Sequence, residues 1–201
     1  MSAKWLFWFF LPFVVVFVLA FVLSQNEDIP LGDLTRGVIH VTGGEWYEGV
    51  LSSTAILFWQ SATTICVFMT ILLRQNRRMA LFFGGAAVLT LLLQLDDFLG
   101  IHERFGMGQV MFFAAYAVAA GLYVLLFFRQ ILQTDYLLLG LALFFFGMSV
   151  GEDVLDWGTS ISLTVHYLVE DGFKFLGIYA WFGYYAWTAY QLLRAKVDPS
   201  K

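Results

Sequence analysis

The chain has 201 residues, 60% of them hydrophobic and 13% charged, with a formal net charge of −4. So little polar surface excludes an ordinary soluble domain and points to a membrane protein. The single cysteine, Cys66, excludes an internal disulfide framework and any CxxC site, and the lack of a basic stripe excludes nucleic acid as a partner.

An apolar run of about 20 residues, rising about 1.5 Å per residue, crosses the hydrocarbon core of a bilayer. Six runs meet or approach that length: 5–23, 50–73, 79–99, 109–128, 136–156 and 165–193. They predict an all-α integral membrane protein, a single polytopic domain over 1–201 built as a bundle of six transmembrane helices. The first run follows Met1-Ser2-Ala3-Lys4. It is longer than the apolar region of a usual signal peptide, which predicts an uncleaved anchor.

Residues 24–49 form the longest connection, an acidic loop. Pro30, Gly32 and Gly43-Gly44 mark turns in it, and the alternation of VIHV-TGG-EWY predicts a small hairpin over the helix ends. Trp5 and Trp8 near one boundary, and Trp46 and Trp157 near the other, fit an aromatic belt. The second run carries Gln60, Ser61, Thr63 and Thr64, and the third Thr90 and Gln94. In lipid such groups hydrogen-bond between packed helices. The fifth run contains Gly147-Met148-Ser149-Val150-Gly151, a letter match to GxSxG. A nucleophile elbow needs a strand before its serine, so the two glycines are read instead as a small-residue packing face.

Assigning the connections to alternating sides gathers 8 of the 11 basic residues on the side of Lys4, Arg74 and Arg194, beside only Asp135 and Asp198. The positive-inside rule makes that side cytoplasmic, with both termini inside a multi-pass protein of the cell (inner) membrane. The opposite side receives 13 of the 15 acids, all three histidines (His40, His102 and His166), and only Arg36, Arg104 and Lys174. Acids contribute little to topology, so their gathering needs a reason of its own.

Three acidic pairs, Asp96-Asp97, Glu152-Asp153 and Glu170-Asp171, arrive at similar depth on three helices. His166, Glu170 and Lys174 share one helical face and Glu152 and Asp156 another. Asp96 and Glu103 align if their helix continues through Gly100. Carboxylates and imidazoles without thiolates suit a divalent Mn, Fe, Zn or Ca ion. The expected ligands are Asp96, Asp97, His102, Glu103, Glu152, Asp153, Asp156, His166 and Glu170. The spacing lacks the Glu-x-x-His pairs of known bundle sites. A b-type haem between His102 and His166 fits less well, because a haem pocket is fairly apolar.

Whether the chain is an enzyme stays open. An enzymatic site would use its metal to activate water or oxygen, or as a Lewis acid, on a lipid or amphipathic substrate. Glu170 and Asp171 are then candidates for the general base, and Lys174 for tuning them or holding an anionic head group. Two other classes compete. One is a cation or proton transporter or channel, against which stands the absence of ionisable residues in the cytoplasmic halves of the runs. The other is a structural or assembly subunit whose acids meet another membrane subunit. The plainest reading of any one acidic pair is an interfacial helix end, with Lys174 paired to Glu170 or reaching outward.

Overall fold

The computed structural model describes residues 50–101, 108–155 and 163–197, together with Val18, Val22, Gln25 and Gly43. For Gln109 and for residues 153–155 and 163–170 it describes the backbone alone. Apart from those four positions, the run at 5–23 and the hairpin expected within 24–49 therefore lie outside the described residues. The chain divides between Val50 and Leu51, and the bundle that follows belongs to the unit Leu51–Lys201.

The described residues are helical, with no strand among them. The helices are α1 (Val50–Leu72), α2 (Arg77–Leu99), α3 (Gln109–Leu126), the single turn α4 (Phe128–Ile131), α5 (Leu137–Leu155) and α6 (Leu163–Val197). By length and composition α1 and α2 are long and apolar enough to cross a membrane, while α3 and α5 carry shorter apolar stretches, Val110–Leu126 and Leu137–Glu152. Their outward faces stay apolar: Met111 is 75% exposed and Leu125 72%. Water does not tolerate so much contiguous apolar surface well.

Local chemistry sets the ends of α2. The Asn76 side chain accepts from the Met79 amide at 3.3 Å, capping the first turn. At the other end Gly100 takes the left-handed conformation (φ 58°, ψ 42°), and its amide donates to the Asp96 carbonyl. A glycine pays no Cβ penalty there. The helix stops at Leu99, so the continuation that would align Asp96 with Glu103 does not occur. The run at 109–128 is also broken: Phe127 (φ −110°, ψ 17°) separates α3 from α4. Its ring packs 5.7 Å from Phe82 and 5.1 Å from Tyr123.

The long helix α6 is the hub. Against α5 it runs antiparallel at very close range. A Cβ on Gly177 would stand 2.7 Å from two ring carbons of Phe146, so only a glycine admits that ring. Gly147 and Gly151, the expected packing face, make no such approach to the described residues: a Cβ on either would meet nothing within 4 Å among them. The small residue that permits close approach is on the partner helix, opposite an aromatic knob. Against α1, α6 runs parallel, with Phe58 5.1 Å from Tyr179 and Trp59 6.4 Å from Trp181.

The core is aromatic. Trp181, Tyr184, Tyr185, Phe82 and Phe83 are all fully buried. Their polar tips are paired, as burial requires. Trp181 Nε1 donates to Thr90 Oγ1 at 2.9 Å. Tyr185 donates to the Tyr123 hydroxyl at 3.1 Å, and Tyr123 in turn to the Phe82 carbonyl at 3.1 Å. The Tyr184 and Thr134 hydroxyls bond at 2.9 Å.

Candidate functional site

Polar residues of α1, α2, α3, α5 and α6 gather towards one end of this aromatic core. The Trp181–Thr90 hydrogen bond joins α6 to α2. Seven residues along α2 from Thr90 stands Asp97, and seven residues back along α6 from Trp181 stands Lys174. Seven residues are about two helical turns, so the same antiparallel seam meets again there. Lys174 Nζ forms an ion pair with Asp97 Oδ1. The Asp97 side chain is 9% exposed and that of Lys174 32%. The second carboxylate oxygen, Asp97 Oδ2, is buried and has no hydrogen-bond partner.

Around this pair lie further polar groups. Asp96 is buried, and the Tyr116 hydroxyl of α3 donates a hydrogen bond to it. One turn back from Asp97, Gln94 Nε2 donates to Gln60 Oε1 at 2.8 Å. Thr63 Oγ1 donates to Gln94 Oε1 at 3.4 Å, and Gln60 Nε2 to Thr64 Oγ1 at 3.3 Å. A polar chain therefore runs from the Asp97 turn of α2 into the middle of α1. It ends at Thr64, which lines an apolar groove between α1 and α6.

Glu152 is also buried, near the end of α5. Phe146 faces Gly177 in the antiparallel α5–α6 pair, so six residues further along α5 Glu152 is level with Asp171. Asp171 itself is exposed. Asp97 and Lys174 meet, Asp96 meets Tyr116, and Glu152 arrives at the same end of α6. Of the other expected residues, His102, Glu103 and Asp156 lie outside the described residues. Asp153, His166 and Glu170 have described helical backbone on α5 and α6, and nothing is described of their side chains. Among the described residues no group of three or more His, Cys, Asp or Glu is placed to hold a metal ion.

The chemistry of the pair is defined by burial. A carboxylate in apolar surroundings is costly unless a counter-charge stands beside it, and Lys174 supplies one. One oxygen remains to accept a hydrogen bond or a cation, and the partly exposed ammonium can reach an anion. A family model, a domain of unknown function (DUF8692), matches residues 9–188, which take in α1 to α5 and most of α6. The chain belongs to the DUF8692 family. No curated protein and no solved structure matches it. The DUF8692 match includes Asp96, Asp97, Tyr116, Glu152 and Lys174, so the charged end is part of the family domain.

Sequence reasoning offered Lys174 a partner on its own helix, Glu170. The cross-helix partner and the part played by Tyr116 were not foreseen, whereas Gln94 makes the hydrogen bonds between packed helices that its place in an apolar run predicts. The available signal was the equal spacing of Thr90 to Asp97 and Lys174 to Trp181.

Proposed function

We propose that the chain is a six-span membrane protein, both termini cytoplasmic, whose extracytoplasmic end binds a divalent metal ion through carboxylates and histidines. The observation that carries this reading is the buried, unpartnered Asp97 Oδ2 beside the Lys174 ion pair. Buried Asp96 and Glu152 stand at the same end. A carboxylate drawn into apolar helices is stabilised by positive charge. That side of the sequence holds Arg36, Arg104 and Lys174 against 13 acids. A divalent cation redresses the imbalance, anchored on Asp97 Oδ2, with Asp96 and Glu152 as further candidates at the same end of the bundle. His102, Glu103, Asp153, Asp156, His166 and Glu170 complete the candidate set. The ligands suit Mn, Fe, Zn or Ca. If the site is enzymatic, Glu170 or Asp171 acts as base and Lys174 holds the anionic part of a lipid substrate.

Metal analysis of the purified chain tests this directly. The expected outcome is about one divalent ion per chain, lost in Glu152→Gln and in His166→Ala. A chain that is folded, metal-free and unresponsive to added Mn or Zn would sink the reading. A cation or proton pathway is the second reading, favoured by the Gln94–Gln60–Thr64 chain. It predicts cation flux in proteoliposomes that Gln94→Leu abolishes. The buried rings of Phe82, Phe83, Trp181 and Tyr185, which fill the core beside that chain, support the shallow site instead.

A further inference from the structure

We propose that the bundle holds an anionic phospholipid between α1 and α6, with an acyl chain in an apolar groove and the phosphate beside Arg194 and Lys196. This rests on the membrane-spanning part of the reading above and is independent of the metal site. The groove lies at the opposite end of the bundle from Asp97 and has a volume of about 460 Å³. Met69 and Ala189, both buried, form its floor with Ala186. Phe68, Tyr190 and Leu193 stand at its sides.

Its shape follows from the sequence of α6. Nearer the Asp97 end, Phe58 of α1 packs against Phe175, Tyr179 and Phe182, and these rings fill the interface. One turn beyond Phe182 the positions facing α1 become Ala186 and then Ala189. The parallel helices are no longer bridged by large side chains, and a trough remains. An unfilled trough forfeits dispersion contacts on every lining atom, whereas a flexible hydrocarbon chain restores them.

Charge chooses the lipid. Arg194 stands four residues after Tyr190, and Lys196 seven after Ala189, so the stripe that lines the trough runs into two cations. Both are exposed in the last turn of α6. They lie on the side to which the sequence assigns 8 of the 11 basic residues. Basic pockets between membrane helices on the cytoplasmic side take anionic head groups. A zwitterionic lipid fills the trough equally well but gains no net charge pairing.

Native mass spectrometry of the full chain in mild detergent tests the proposal, with phosphatidylglycerol and phosphatidylcholine of the same acyl chains as probes. The expected result is a retained phosphatidylglycerol adduct favoured about tenfold over phosphatidylcholine. Arg194→Gln with Lys196→Gln removes that preference and leaves the phosphatidylcholine adduct as it was. Ala186→Phe fills the trough and reduces both adducts. Because a phenylalanine at 186 can disturb packing, the exposed charge pair decides the matter. Equal retention of the two lipids overturns the proposal. So does a preference that survives the double substitution, or a lipid-free dimer in which a second copy takes the groove. A chain recovered from the aqueous fraction without detergent would instead overturn the membrane-spanning reading.

Discussion

Removing the Lys174 ammonium leaves the Asp97 carboxylate, 9% exposed in its side chain, without its counter-charge. Breaking a buried ion pair from one side costs about 3–5 kcal/mol. Lys174 is about a third exposed, so solvent screening brings the expected loss nearer 2 kcal/mol. Lys174→Met should therefore lower the thermal midpoint in detergent, and Asp97→Asn in the same chain should restore most of it. Strictly additive losses in that double-mutant cycle would show that the two charges do not interact. Both residues were legible in the sequence as members of a charged helix end, because a carboxylate or an ammonium in an apolar run is conspicuous. Their pairing was not. It depends on how α2 slides against α6, and the Thr90–Trp181 hydrogen bond that fixes this slide joins residues 91 positions apart.

At the scale of elements, hydropathy located the helices well. The runs at 50–73, 79–99 and 136–156 correspond to α1, α2 and α5 within two residues at either end. What hydropathy missed was packing detail. The break at Phe127 falls inside an unbroken apolar run, and no polarity change marks it. The glycines at 147 and 151 look like a contact face by spacing, but meet no neighbour within 4 Å among the described residues. Gly177 holds the close approach because its helix meets the Phe146 ring edge to backbone. Gly177→Ala places a methyl 2.7 Å from that ring, and overpacking of this kind costs about 1–3 kcal/mol. The substituted chain should melt earlier, and Phe146→Leu should soften the loss by giving the methyl room. If Gly177→Ala left the melting curve in place, α5 and α6 would have to separate more easily than their aromatic contacts suggest. Phe145 stacks on Phe173 at 6.2 Å one turn away, and Trp59 on Phe146 at 5.7 Å, so the ring has little freedom to retreat.

For the whole molecule, the two ends of the bundle differ in chemistry, and that difference predicts its orientation. The Lys174–Asp97 ion pair and the buried acids Asp96 and Glu152 mark the Asp97 end. The other end shows Arg74, Arg194 and Lys196 at the surface. Single cysteines read the orientation out, and the native chain supplies its own control. Cys66 is fully buried, so a bulky, charged maleimide should leave the unsubstituted protein unlabelled. Ser52 is exposed at the start of α1. The parallel register of Phe58 with Tyr179 puts it close to the level of Lys174. Gln133 is exposed between α4 and α5, next to Thr134, whose hydroxyl meets Tyr184 at the basic end. The positive-inside rule puts the second position in the cytoplasm. In intact cells an impermeant maleimide should therefore label Ser52→Cys and spare Gln133→Cys, which should react only once the membrane is opened. The reverse pattern would place the acidic end in the cytoplasm and remove the charge-bias argument. Labelling of both in intact cells would mean that the bundle does not cross the membrane between them. The apolar outer faces of α3 and α5 would then need a protein surface, not lipid, to cover them.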